Sequence, residues 1–500
     1  MSFVSVAKAV AIGLGGLLLG WGVLFIFLNM GGRSYCPGGA CATGKDAALG
    51  LTITFLIVGL IALITALAVA ANTESWRKRS RFAFATTGLV VGLLPGWLWH
   101  DSLIGQRVRL DWHAPTDRPE AVRGVGNWSV GSTVVRARTD GLTAYAGRDG
   151  QVRWELTAPV RESVCAMSAR TSKGTGLVAF SGYLKPCTTL TLVNLSTGKS
   201  VWQQKTKGDE SFPTATDGRV ALADGTAVVL EEEAVRGLDA ENGKQRWKRP
   251  VPRDCQAVTV EASAARLLLV EQCRKGRVGD ITMRLTSLDA ATGKQRWSSP
   301  LPVKSGYSSL YTLSVEPPVI ALKERDERGT AAVLSFDDTG RARATVPFSG
   351  RTETLAIGNG GFKARPALTA LVVGDTLVTA AKDRGDNVYV RRVSGYSLAD
   401  GRPLWSKKYG SGKGYRDEVE ALAVRPRGRL AVLTKTFTDG TIRPLDPRTG
   451  RQAGDIEPVS GRDDLVGRGG AELLPDADRG YVVVNQDGTD DAPPAWGASR

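Results

Sequence analysis

The sequence predicts an all-β propeller of four-stranded antiparallel sheets, eight blades in preference to seven. An α-helical membrane anchor of three transmembrane helices precedes it. Three observations carry this prediction. Almost all long apolar runs lie before residue 105. A Gly-punctuated string ending in Trp recurs through the rest of the chain. A short apolar strand accompanies it, at intervals of about 50 residues.

Residues 10–30 (VAIGLGGLLLGWGVLFIFLNM) and 47–71 (AALGLTITFLIVGLIALITALAVAA) carry no charge. Each matches or exceeds the roughly 20 residues needed to cross the hydrocarbon core. A third run, 82–100, is shorter and holds Pro95. Its Trp97 and Trp99 suit the headgroup layer, and a buried or interfacial helix is its alternative reading. Arg77, Lys78, Arg79 and Arg81 lie between the second and third runs. Positive charge stays cytoplasmic, so the amino terminus is expected inside and everything beyond the third span outside. The expected division is an anchor over 1–104 and an extracytoplasmic propeller over 105–500. The expected localisation is therefore a multi-pass protein of the cell membrane.

Cysteine usage agrees with that topology. Cys36 and Cys41 fall in the first loop, and Cys165, Cys187, Cys255 and Cys273 in the soluble part, all on the side expected to be external. Six cysteines allow 15 pairings. Proximity favours Cys36–Cys41, Cys165–Cys187 and Cys255–Cys273; six free thiols in a reducing compartment is the alternative. Zinc has no fourth ligand near Cys36 and Cys41.

The recurring string reads LTAYAGRDGQVRW (142–154), LTLVNLSTGKSVW (190–202), VRGLDAENGKQRW (235–247), LTSLDAATGKQRW (285–297) and VSGYSLADGRPLW (393–405). Copies without Trp stand at 333–346 and 442–454. An Asp or Ser before a turn hydrogen-bonds its own backbone. A glycine supplies the positive φ of a tight hairpin, a role assigned to Gly150, Gly198, Gly243, Gly293, Gly340, Gly401 and Gly450. The repeat tryptophans Trp154, Trp202, Trp247, Trp297 and Trp405 each offer a large rigid face to pack one sheet on the next.

The accompanying apolar strands are TVVRA (133–137), LVAFS (177–181), RVALA (219–223), RLLLV (266–270), VIALK (319–323), TLVTA (376–380), RLAVL (429–433) and YVVVN (481–485). Units of this length with such hairpins read as propeller blades. The last copy lacks a Trp strand after it. RVRLDW (107–112), at the start of the domain, is the candidate to close the ring.

The string Leu288-Asp289-Ala290-Ala291-Thr292-Gly293-Lys294-Gln295-Arg296-Trp297 resembles the PQQ-type β-propeller repeat, over roughly residues 107–490. That family includes quinoprotein alcohol dehydrogenases and cofactor-free members such as the lipoprotein of the outer-membrane β-barrel assembly machine. In the enzymes the resemblance implies a quinone over Ca²⁺ at the axis, commonly with adjacent cysteines and a catalytic Asp. This sequence has no adjacent cysteines. The matched residues belong to packing and not to a site.

Catalytic signals are absent. His100 and His113 are the chain's two histidines, and neither has a nucleophile nearby in sequence. GACATGKD (39–46) ends in Asp46 where a phosphate loop needs Ser or Thr. Asp490 and Asp491 read as solvated charge. The net charge of +15 is mild for this length, with no basic run that would mark a nucleic-acid patch. The expectation is thus a non-catalytic protein-binding or scaffolding module at the cell envelope, without catalytic residues, metal or cofactor. Its expected partners are the membrane and an envelope protein, with no nucleic acid. A receptor for a sugar or cell-wall fragment is the alternative, ahead of a PQQ- and Ca-dependent dehydrogenase. The stretch 350–366 widens one repeat interval, and reads either as a site-building loop or as an idle surface insertion.

Overall fold

The computed structural model describes residues 109–499, except 119–121, 209–217, 275–280, 359–361, 363, 365–366, 387, 410–417, 426–427, 436–439, 455–456, 460–469, 476–479 and 489–491. The three apolar runs, Cys36, Cys41, His100, Asp490 and Asp491 lie outside the described residues. Among the described residues no helix is long and apolar enough to cross a membrane.

Eight antiparallel sheets follow one another along the chain. Blades 1 to 7 span 124–157, 162–205, 220–250, 255–301, 307–347, 353–408 and 418–459. Blade 8 takes three strands from 471–499 and its outermost strand, Arg109–His113, from the beginning of the domain. The ring therefore closes where the sequence places the closing strand, and the fold has eight blades. Closure of this kind removes the exposed edge that a final three-stranded sheet would present.

Within a blade the strands run up and down from the axis outward. First strands of most consecutive blades touch one another, so they line the centre. Side chains from facing sheets alternate into dry layers between blades. Cys165, Leu177 and Leu190 of blade 2, for example, meet Val220, Leu222 and Val229 of blade 3. One apolar string differs from the others in its place in the blade. Seven copies are second strands, but RVALA (219–223) supplies the first strand of blade 3, and Thr226–Leu230 is its second. Both strands are buried on both faces, so their composition is the same and only the connectivity tells them apart.

Blades 1 to 6 share a bulge between their third and fourth strands. In blade 4, Ser287 faces Trp297 and Leu288 faces Gln295, leaving Arg296 as the extra residue. The bulge increases local twist and turns the residue before the Trp outward. That position is Arg153, Val201, Arg246, Arg296, Arg343 and Leu404 in blades 1 to 6, which accounts for the exposure of Val201 and Leu404.

Candidate functional site

The repeat residues form the frame. All seven turn glycines have positive φ, from 65° at Gly450 to 84° at Gly340. Asp289 Oδ1 accepts the backbone N–H and hydroxyl of Thr292, and Arg296 holds its carboxyl below the ordinary Asp range. Each Trp then packs on the turn glycine of the following blade. A methyl group built on Gly293 would stand 2.6 Å from the Trp247 ring. In four of the five the indole N–H donates to a carbonyl of the same turn: Trp154 to Leu195 at 3.0 Å, Trp202 to Ala240 at 3.0 Å, Trp247 to Ala290 at 3.0 Å, Trp405 to Pro447 at 2.9 Å.

One repeat tryptophan escapes a search for the full string. Trp112, on the closing strand, packs over Gly150 and donates to Gly147 O at 2.8 Å. Its signal was the Leu110-Asp111-Trp112 ending, separated from its partner strand Ala495–Ser499 by the whole length of the ring. The closure is also electrostatic. Asp117 forms ion pairs with Arg136 (2.7 Å) and Arg138 (3.0 Å) of blade 1, while Arg136 Nη2 donates to Gln486 O of blade 8. Here too, Asn127 Nδ2 donates to Glu472 Oε2 at 2.9 Å.

The cysteines are structural in two different ways. Cys255 and Cys273 face each other on the first two strands of blade 4 and are bonded. Cys165 is the bulged residue of its strand and bonds Cys187, at the end of the loop 183–188. The same end of blade 2 exposes Tyr183 (87%) and Leu184 (60%), with Val160 (91%) on the adjoining loop. Glu162 pairs with Gly182, so the two loops are neighbours. Arg161 and Leu184 both adopt positive φ, 64° and 52°, without being glycine. Such backbones persist where the surroundings dictate them, and they concentrate at recognition sites.

The widened interval is no idle insertion. Glu353–Leu355 and Ala370–Val373 share the innermost position of blade 6, and both pair with Thr376–Asp383. The chain between them reaches across to blade 1, where Ala364 N donates to Val125 O at 2.9 Å. Phe362 is fully buried there. Gly124 and Gly126 make this approach possible: a methyl group at either would stand 2.6 Å from Phe362 or Ala364. Phe362 and Ala364 thus stand against blade 1. Ala364 and Ala367 form one side of a cavity of about 550 Å³, whose other walls come from blades 2 to 6.

That cavity was tested against the quinone of the enzymes. The cofactor is a tricarboxylate held with a divalent cation, so it needs several cations or a carboxylate cluster. Among the described residues the lining holds one guanidinium, Arg170, already paired with Asp224 at 3.2 Å. Among the described residues no group of three or more His, Cys, Asp or Glu is disposed to hold a metal. The described residues do not fit the group.

Part of the repeat also matches a known family model. The family model described as outer membrane protein assembly factor BamB matches residues 170–336, blades 2 to 5. No curated protein matches the sequence. Among solved structures, BamB from Moraxella catarrhalis is 13% identical, with a TM-score of 0.43, covering 76% of this chain and 96% of its own. The C-terminal WD40 domain of Sif2 is 11% identical with a TM-score of 0.47, covering 79% and 98%. Quinohemoprotein alcohol dehydrogenase from Comamonas testosteroni is 11% identical with a TM-score of 0.37, covering 80% and 70%. The chain is an eight-bladed propeller, and the repeats of its blades 2 to 5 match a PQQ-type family model.

Proposed function

We propose that this propeller is a non-catalytic protein-binding scaffold, held on the outer side of the cell membrane by the three apolar runs of residues 1–104. The observation that carries the binding role is the stapled end of blade 2. Single exposed apolar residues are ordinary, but Val160, Tyr183 and Leu184 stand together on adjoining loops. The Cys165–Cys187 bond fixes the loop before any partner arrives, which lowers the entropy cost of docking. A tyrosine beside aliphatic groups is the composition of an interface centre. Arg161 and Lys185 flank it and favour an acidic partner surface.

The test is crosslinking in intact cells with the wild type and with a Tyr183→Ser, Leu184→Ser double variant. One envelope protein should be enriched near stoichiometry with the wild type and lost with the folded variant. Equal recovery from both would place the interface elsewhere, and no enriched protein would remove the scaffold reading. Topology is checked separately. A reporter fused after Arg79 should be active only in the cytoplasm, and one fused after Gly150 only outside.

A further inference from the structure

We propose that Phe362 is a latch on the closing seam of the ring, so that the seam between blades 8 and 1 opens together with the inner edge of blade 6. This inference is independent of the blade 2 patch.

The seam depends on a strand that is easily lost. The closing strand, Arg109–His113, begins the domain and is paired on one side, with Ala495–Ser499. Terminal strands with a single neighbour are the first to open.

Packing at this seam differs from packing elsewhere in the ring. Among the described residues, the core clusters between blades 2 and 3, 3 and 4, 4 and 5, 5 and 6, and 6 and 7 come from the two flanking blades and the connectors beside them. The seam cluster has Trp112 from the closing strand, Tyr145 from blade 1, and Leu474 and Val482 from blade 8. It also contains Phe362 and Leu368, which belong to blade 6. Phe362 is fully buried there, so a blade that does not flank the seam supplies part of its core.

Contacts on three sides hold these residues in place. A methyl group on Gly124 of blade 1 would stand 2.6 Å from the Phe362 ring, so ring and backbone touch directly. Ala364 N donates to Val125 O at 2.9 Å, and Ala364 joins the core cluster between blades 1 and 2. Leu368 O accepts from Leu422 N of blade 7 at 3.1 Å. Thr369 O accepts from Ala380 N of blade 6 at 2.7 Å.

The consequence is coupling. The closing strand cannot leave without exposing the apolar cluster beneath it, and Phe362 is part of that cluster. Exposing Phe362 in turn releases the chain that leads into Ala370–Val373, an inner strand of blade 6 that is also paired on one side, with Thr376–Asp383. Two strands secured by one cluster open as one unit, and weakening either weakens the other.

Hydrogen exchange of the full-length protein, followed by mass spectrometry, tests this. In the wild type, Arg109–His113 and Ala370–Val373 should show the same opening free energy, below that of Arg266–Arg274 in blade 4. Phe362→Ala should accelerate exchange in both strands by roughly a hundredfold and leave Arg266–Arg274 unchanged. Phe362→Leu should accelerate the same two strands by about tenfold. Gly124→Ala, which crowds the ring without removing it, should act on the same pair, and these two milder variants carry the test if Phe362→Ala does not fold. Leu222→Ala opens a cavity between blades 2 and 3, and should leave both strands at the wild-type rate. Acceleration confined to Ala370–Val373, acceleration spread evenly over the ring, or the same response to Leu222→Ala would each overturn the proposal.

Discussion

The contact of blade 3 with blade 4 and that of blade 4 with blade 5 use the same parts and differ by one residue. Across the first, Trp247 packs on Gly293 and donates to Ala290 O. Across the second, Trp297 packs on Gly340 at the same 2.6 Å clearance, but its indole nitrogen is buried with no partner among the described residues. The turn explains the difference. Asp289-Ala290-Ala291-Thr292-Gly293 has five residues, and Gly293 N donates four positions back to Asp289 O. Asp337-Asp338-Thr339-Gly340 has four, and Gly340 N donates three positions back to Asp337 O. The shorter turn keeps the glycine under the ring and withdraws the carbonyl from the N–H. Packing and hydrogen bonding in this repeat are thus separable, and packing is the part that survives a change of turn length. The second contact has other ties. Phe336 stacks on Trp297 with ring centroids 6.3 Å apart, and Ser299 Oγ donates to Gly340 O.

The largest test of this comparison is truncation of the ring. Trp247→Ala should cost about 3–5 kcal/mol in equilibrium unfolding, the range for a buried aromatic. Trp297→Ala should cost about 1 kcal/mol less, because no indole hydrogen bond is lost. Both rings are comparably buried, at 9% and 8% exposure, so a difference traces to the hydrogen bond and not to area. Equal losses would break the separation of the two terms.

The same comparison shows how far the sequence reaches. The fold was legible because one string repeats in register, and each repeat says where a hairpin turns and where a Trp falls. The closing strand was legible because the last blade visibly lacked a partner. Trp112 was harder, because the strand it pairs with, Ala495–Ser499, lies at the other end of the chain and no hairpin turn precedes it. The missing acceptor at Trp297 leaves a trace, one residue fewer in DDTG than in DAATG. What that trace removes depends on a contact between blades, which no local pattern carries. The axial cavity was not legible at all. Arg170, Thr259 and Thr312 come from three blades, and only the closed ring brings them together. Gly124 and Gly126 sit in a strand where glycine is costly, the one sequence hint that another backbone approaches there.

A second test uses the carboxylate that secures the blade 4–5 contact. Glu324 Oε1 accepts the N–H groups of Lys304 (2.6 Å) and Ser305 (3.0 Å) in the connector, and Oε2 accepts Thr330 N at 2.5 Å. Burial alone would raise its pKa, but these donors outweigh burial and bring it down to about 2. The folded value lies below the ordinary Glu value of about 4.3, so the carboxylate stabilises the fold above that pH. The contribution fades as pH falls from about 4 towards 2. Glu324→Gln should cost about 1–2 kcal/mol at pH 7, and the gap from wild type should close over that acid window. A gap that persists unchanged at the bottom of the window would mean that shape, and not charge, holds the connector.

The smallest expected effect is the sharpest. Trp→Phe keeps an aromatic face over the turn glycine and removes the N–H. At position 247 it leaves Ala290 O without its donor, and at position 297 it removes a buried donor that was already unpaired. Both changes lose similar ring area, so that loss cancels when the two are compared. Trp247→Phe should therefore be destabilising by about 1 kcal/mol more than Trp297→Phe. Lengthening the blade 5 turn by one residue, to the five-residue form, should restore the acceptor and bring the two costs together. Costs that stay apart after the insertion would show that the withdrawn carbonyl is not the reason the two contacts differ.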